Sequence, residues 1–141
     1  MAVLFEKLPD EPIVIVTSLG QINVEMMLDI YRRIAEIADQ IEPPLYRITD
    51  TRQQDTNFAD MMGIIKQASR GQPGTTTDPR IRHVFVGRDK FAMLARDAYA
   101  NSDPNHHAVP VFVTLEEALT YIRLEISRRK MAAPEDYSAE P

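Results

Sequence analysis

The sequence predicts an α/β fold: a single mixed, mainly parallel β-sheet of four or five strands, with about four helices mainly on one face. Short β-branched runs alternate along the chain with segments whose apolar residues recur at helical spacing. Strand–helix–strand units favour parallel neighbours joined by right-handed crossovers. A chain of 141 residues has the usual length of one domain. We predict a single domain at 1–130 and a flexible C-terminal tail at 131–141.

The first two apolar runs predict an antiparallel hairpin at one edge of this sheet. Residues 3–8 (VLFEKL) favour a short strand, which Asp10, Glu11 and Pro12 interrupt. The β-branched run IVIVTSLG, at 13–20, follows directly. A short turn between two such runs is typical of a hairpin.

After Asn23 the hydrophobic period changes from that of a strand to that of a helix. Asn23 is a favourable helix cap, and the pair Pro43–Pro44 ends the pattern. The apolar positions that define the helix are Val24, Met27, Leu28, Tyr31, Ile34, Ala35, Ala38 and Ile41.

The next strand, LYRITD at 45–50, alternates between apolar and polar residues. Tyr46 and Ile48 point to one side, and Arg47 and Thr49 to the other. Such alternation is typical of a sheet whose second face meets water or a polar partner. It predicts a sheet that is bare on one face or covered there by a second subunit.

Three helices and two further strands complete the predicted order. A second helix begins at Asn57, a strand follows at 82–87, and Asp89 caps a third helix. The last strand lies at 109–113. Thr114 and Glu117 then form a capping box, in which each side chain accepts a hydrogen bond from the other's backbone N–H.

Composition and charge exclude several classes of function. The net charge of −5 argues against binding to a nucleic-acid backbone. The one basic segment, RLEISRRK at 123–130, fits the last turns of a helix, where cations interact favourably with the helix dipole. No apolar run is long enough to span a membrane, and residues 1–11 lack the pattern of a signal peptide. We therefore expect a cytoplasmic protein.

The polar stretch after the strand at 45–50 is the best candidate for a functional site. Ligands of open parallel sheets bind beyond the carboxyl ends of the strands. The candidate residues there, for ligand binding or as a phosphorylation switch, are Asp50, Thr51, Arg52, Asp55, Thr56 and Arg88. They would suit a small polar or anionic ligand near free helix N–H groups.

Other interpretations of these residues stay open. Asn57, Asp89 and Thr114 are explained equally well as helix caps. Asp50 and Asp55 have the chemistry of an acid/base pair or of a Mg²⁺ site, but nothing in their spacing is diagnostic. We predict no catalytic residues, no metal site and no cofactor. Without Cys, a disulfide framework and a thiol nucleophile are excluded.

Three segments resemble the SpoIIAA-like (STAS-like) domains. They are IVIVTSLGQI before a long helix, LYRITDTR with its terminal Asp50, and the closing VFVTLEEALTYI. The resemblance spans about residues 4–126 and implies a sheet of four or five strands with helices on one side. Anti-sigma-factor antagonists of the wider group carry a phosphorylatable Ser or Thr in an Asp-Ser-Ser-Gly-like turn. Asp55 and Thr56 match its first two residues, whereas the second Ser and the Gly are absent.

The resemblance implies a non-enzymatic regulatory or protein-interaction module. Its expected partners are an unidentified protein and a second copy of the chain, bound through the sheet or one of its edges. The alternative is a domain that binds a small lipid or nucleotide at the carboxyl ends of the strands.

Overall fold

Five strands form one sheet in the order of the sequence, β1-β2-β3-β4-β5. The computed structural model describes residues 2–55, 58–68, 74, 78–87, 93, 96–97 and 109–138. Only β1 and β2 pair antiparallel, and the other neighbouring strands pair parallel. The predicted mixed, mainly parallel sheet with an antiparallel edge is therefore confirmed. The strands are β1 (Ala2–Lys7), β2 (Ile13–Gly20), β3 (Leu45–Gln54), β4 (Ile81–Val86) and β5 (Val111–Phe112).

Three helices accompany the sheet in the described part of the chain. They are α1 (Val24–Ala38), α2 (Phe58–Ala68) and α3 (Leu115–Ser138). Most of the helix predicted to begin at Asp89 lies outside the described residues, although Met93, Arg96 and Asp97 are helical. The predicted cap Asn57 also lies outside them.

Helix α1 covers one face of the sheet, which we call the first face. The Asn23 Oδ1 atom accepts a hydrogen bond from the Met26 amide at 2.9 Å, so Asn23 is the predicted cap. Ile64 of α2 joins the same buried core. The core of the first face consists mainly of Val14, Val16, Met27, Ile30, Tyr31, Ile34, Leu45, Ile64, Ile81 and Phe85.

Helix α3 packs on the opposite face, which we call the second face. Thr114 and Glu117 form the predicted capping box, with the Glu117 amide donating to Thr114 Oγ1 at 3.1 Å and the Thr114 amide to Glu117 Oε1 at 3.2 Å. Ala118 and Ile122 are fully buried in a cluster with Ile13, Ile15, Tyr46, Ile48, Val84 and Val86.

The expectation that one face of the sheet is bare is wrong, because α3 covers β3 and β4 on the face opposite α1. Same-handed crossovers between successive parallel strands place their helices on one face. Helix α3 comes after β5 in the chain and does not connect two of the described strands, so that constraint does not apply to it. The uncovered part of the second face lies over β1, where Leu4 is 55% exposed.

The polar side of β3 is also not exposed, contrary to the interpretation of its alternation. Arg47 and Thr49 lie buried under α1. The Arg47 guanidinium carbon is 5.3 Å from the centroid of the Tyr31 ring, and Arg47 Nε donates to Thr49 Oγ1 at 3.0 Å. A cation–π contact and the long apolar stem let an arginine occupy this interior position.

Helix α3 extends further than the sequence indicated. It runs to Ser138, through residues expected to belong to a tail after 130. The basic segment at 123–130 therefore lies in the middle of the helix and not in its last turns. Within the described residues, no helix is both long and apolar enough to cross a membrane.

Candidate functional site

The carboxyl end of β3 carries most of the described candidate residues. Asp50 is in register with Thr17 of β2 and with Val86, the last residue of β4. β3 continues to Gln54, so residues 51–54 extend past the end of β4. The polar stretch identified in the sequence is thus the projecting end of a central strand.

Asp50 and Arg52 form an ion pair at this end. Asp50 is only 4% exposed. Arg52 Nε donates to Asp50 Oδ1 at 3.0 Å, Arg52 Nη2 donates to Oδ2 at 2.8 Å, and the Arg52 amide donates to Oδ1 at 3.1 Å. These side-chain hydrogen bonds, with the charge of Asp50, raise the pKa of Arg52 despite partial burial. Both oxygens of Asp50 are occupied, so its role here is to hold the guanidinium in place.

Thr51 lies away from this ion pair. It takes no part in the hydrogen bonds between Asp50 and Arg52, and the pairing of β3 with β2 shifts register between Asp50 and Gln53. Its hydroxyl is buried and donates to the Val86 carbonyl at 2.9 Å. Thr51 therefore ties β3 to β4 and offers no accessible group at the surface.

Asp55 follows the strand and is exposed. Its amide donates to the Gly20 carbonyl at 2.7 Å, which joins the end of β3 to the end of β2. Thr56, Arg88 and Asp89 lie outside the described residues. We call the described surface of Asp50, Arg52 and Asp55 the β3 rim.

The β3 rim presents one charged group in a fixed position. The Arg52 side chain is 40% exposed although its partner Asp50 is buried. A bidentate pair to a buried carboxylate restrains a side chain that is otherwise mobile. Thr114 caps α3, as one of the open interpretations held. Among the residues that the structure covers, no group of three or more His, Asp or Glu is placed to hold a metal ion.

A depression that was not predicted lies at the opposite end of the sheet from the β3 rim. It is formed by the start of β2, the loop before β3 and the middle of α3. The basic segment at 123–130 was the one feature of the sequence that pointed to it. From the sequence alone, however, this segment was predicted to lie at the end of a helix.

The sequence matches no family model, and no curated protein matches it either. Solved structures do resemble the fold. The anti-sigma factor antagonist SpoIIAA in its unphosphorylated form superposes with a TM-score of 0.57 at 13% identity, over 86% of this chain and 98% of that one. An uncharacterized protein of the DUF3478 family from Shewanella loihica PV-4 gives a TM-score of 0.51 at 13% identity, over 85% and 91% of the two chains. The chain therefore has the SpoIIAA-like fold that its sequence motifs indicated.

Proposed function

We propose that the chain is a regulatory protein-interaction module, acting in the cytoplasm, whose docking surface is the β3 rim. The observation that carries this proposal is the exposed Arg52 guanidinium held by the buried Asp50 carboxylate. Arginine is one of the residue types that most often dominate binding energy at protein interfaces. The similarity of the fold to that of an anti-sigma factor antagonist supports the same role.

The geometry of the rim favours a protein partner over a small anionic ligand. Asp50 already neutralises the charge of Arg52, so a free anion would gain little net attraction there. A protein surface instead benefits from a side chain whose rotamer is fixed before binding, because less conformational entropy is lost on association. Asp55 adds an exposed carboxylate three residues later, and the two groups suit a partner that presents both charges.

We further propose Thr56 as the residue through which phosphorylation controls docking. Thr51 is unsuitable as an acceptor because its hydroxyl is buried and donates to the Val86 carbonyl. Thr56 directly follows Asp55, a residue of the β3 rim, in the sequence. A phosphate there would add about −2 charge to a surface that already carries Asp55, and would repel a partner selected for that surface.

Replacing Arg52 with alanine is expected to remove the partner. The tagged protein is purified from its native cells, and the copurifying proteins are quantified by mass spectrometry. A specific partner should decrease at least about tenfold for Arg52→Ala, because an anchor residue contributes about 1–2 kcal/mol or more. Thr56→Glu should have the same effect, and Thr56→Ala should retain the partner.

The matched control for this experiment is Arg32→Ala. Arg32 is an exposed arginine on α1 with an aspartate partner, Asp29, at 3.7 Å. It should leave the set of copurifying proteins unchanged. Equal recovery of every protein with wild type and Arg52→Ala would refute the proposed docking surface.

We infer that self-association uses β1. Strands β3 and β4 contribute to the buried cores of both faces, whereas β1 is an edge strand with Leu4 exposed on the second face. An edge strand offers unpaired N–H and C=O groups to a second copy. Light scattering after size exclusion should give a dimer for wild type and Leu124→Ser, and a monomer for Leu4→Ser. Leu124 is similarly exposed but lies on α3, and a monomeric wild type would disprove the inference.

A further inference from the structure

Helix α3 carries apolar side chains on two opposite faces. One face packs on the sheet through Ala118 and Ile122. The large apolar residues that remain exposed on this helix are Tyr121, Leu124 and Met131, at 36%, 50% and 71% exposure. Leu124 follows Ile122 by two positions, which is about 200° around a helix, so Leu124 points away from the sheet.

The exposed apolar residues of α3 are aligned with one another. The described part of the chain exposes seven large apolar side chains, and three of them lie on this one helix. Together with Arg128 they occupy positions 121, 124, 128 and 131, and these spacings of three and four put all four side chains on one face. We call this face of α3 the outer seam. Single exposed apolar residues are normal on a surface, whereas a contiguous set indicates a contact with another molecule.

The width of the outer seam fits one helix of another molecule. Alternating spacings of three and four are those of the a and d positions of a heptad, whose side chains pack between those of a single facing helix. Glu125 and Ser127 border the seam on its two sides, so its apolar part is narrow. A helix that lies on a membrane presents a broader apolar face, about 100° wide or more.

The charge of this region favours an acidic partner. Arg128 is the one charged residue of the seam between positions 121 and 131, and its side chain is 67% exposed. Its nearest carboxylate is that of Glu125 at 3.8 Å, and such exposed pairs are weak. Arg129 and Lys130 follow directly and are exposed as well. A facing carboxylate would therefore be attracted to this part of the helix.

A second copy of α3 does not satisfy the same requirement. Two such helices in parallel register would place Arg128 against Arg128, where like charges repel. In antiparallel register about the centre of the seam, Arg128 would face Leu124 of the other copy. An apolar helix with acidic flanks avoids both arrangements, because an arginine in the seam can extend its charged end to the flanking carboxylates.

We propose that the outer seam binds an acidic amphipathic helix of a partner protein. The apolar side chains of that helix pack between Tyr121, Leu124 and Met131, and a carboxylate beside them pairs with Arg128. The seam lies on the side of α3 that faces away from the sheet and shares no residue with the β3 rim. Loss of binding at one surface is therefore distinguishable from loss at the other.

A designed peptide of three heptads, titrated into the full chain, is a direct probe. It carries Leu at every a and d position and Glu at the e and g positions, and ¹H–¹⁵N correlation spectra follow the titration. Saturable shifts are expected at the amides of Leu124, Arg128 and Met131. The double variant Leu124→Ser/Met131→Ser should raise the dissociation constant at least about tenfold. Met62→Ser changes an exposed methionine of α2 and should leave binding unchanged.

Reversal of charge tests the sign of the partner. Arg128→Glu should weaken binding of the acidic peptide at least about tenfold, and it should strengthen binding of the same peptide with Lys in place of Glu. Arg32→Glu is the matched control and should change neither. The Arg32 side chain is 68% exposed, close to the 67% of Arg128, and each arginine has a carboxylate three positions earlier, at 3.7 and 3.8 Å respectively.

Three results would overturn the proposal: no saturable shift up to about 1 mM acidic peptide, shifts confined to another surface, or equal binding of the acidic and basic peptides by the wild type. Broadening of the seam amides by phosphatidylglycerol vesicles, without binding of the acidic peptide, would indicate a membrane surface and would also overturn it. The substituted side chains are all exposed, so loss of the fold does not account for weaker binding.

Discussion

Replacing Ile122 with alanine is expected to lower the free energy of unfolding by about 3 kcal/mol, within the range of about 2–5 kcal/mol for such truncations in a core. Ile122 is fully buried on α3 and belongs to the same cluster as Ile48 and Val84 of the sheet. Truncation removes apolar contacts and leaves a cavity between helix and sheet. Denaturant unfolding followed by circular dichroism measures the change.

The control for this prediction lies two residues further along the same helix. Leu124 is 50% exposed, and Leu124→Ala should change the free energy of unfolding by less than about 0.5 kcal/mol. A similar loss of stability in both variants would mean that α3 does not pack on the second face through Ile122.

Replacing Asp78 with alanine should cost about 2–4 kcal/mol, because one buried carboxylate organises the segment before β4. Asp78 accepts hydrogen bonds from the Gly74 amide at 2.8 Å, from the Arg80 amide at 3.0 Å, and from Arg80 Nη2 at 2.9 Å. Arg80 Nη1 also contacts Asp39, at the end of α1, at 2.6 Å. Loss of Asp78 therefore leaves buried donors unpaired and loosens the connection to α1.

The matched control is Asp29→Ala. Asp29 also faces two arginines, Arg32 and Arg33, but all three side chains are about half exposed or more. Exposed pairs on a helix contribute about 0.3–0.5 kcal/mol, so thermal unfolding should hardly change. Equal destabilisation by the two alanine substitutions would contradict the role given to burial of Asp78.

The contribution of Asp78 should depend on pH. Burial on its own raises the pKa of Asp78, but hydrogen bonds from Arg80 and the Gly74 amide, with the charge of Arg80, outweigh it and lower the pKa. A lowered pKa in the folded state adds stability above the pKa of the unfolded chain, which is about 3.9 for Asp. The difference in melting temperature between wild type and Asp78→Asn should be constant above about pH 5 and shrink as pH falls below about 4.

The features predictable from the sequence are those that depend on residues close together in the chain. Asn23 bonds to the amide three residues later, and Thr114 and Glu117 bond across the same spacing. Such caps are visible as sequence patterns. The order of strands and helices follows from changes of hydrophobic period, and the parallel pairing follows from that order.

The features that could not be predicted depend on where distant segments pack. The alternation in β3 indicated one apolar and one polar side, but it did not indicate that α1 would cover Arg47 and Thr49 on the polar side. That result needs the cation–π contact with Tyr31, sixteen positions earlier in the chain. The end of α3 was also missed, because Pro134 is a residue that usually ends a helix, whereas α3 continues through it to Ser138.

The position of the candidate residues at the end of a strand was predictable, but their hydrogen-bond partners were not. The structure has Asp50 and Arg52 in the last part of β3 and Asp55 directly after it, and their role as a site stays a prediction. Thr51 was grouped with them, but its side chain is buried and its hydroxyl donates to the Val86 carbonyl. That bond was not predictable, because Val86 lies 35 positions later in the chain.

The buried Arg47 also protects the protein against misalignment of its central strand. If β3 slipped by one residue against its neighbours, Arg47 would move among the aliphatic side chains of the second face, and Asp50 would move under α1. Burying an unpaired charge in that apolar core lowers the stability of the fold by several kcal/mol. The slipped arrangement of β3 is therefore strongly disfavoured. The apolar residues of β2 at 13–16, which lie on both faces, would not by themselves prevent it.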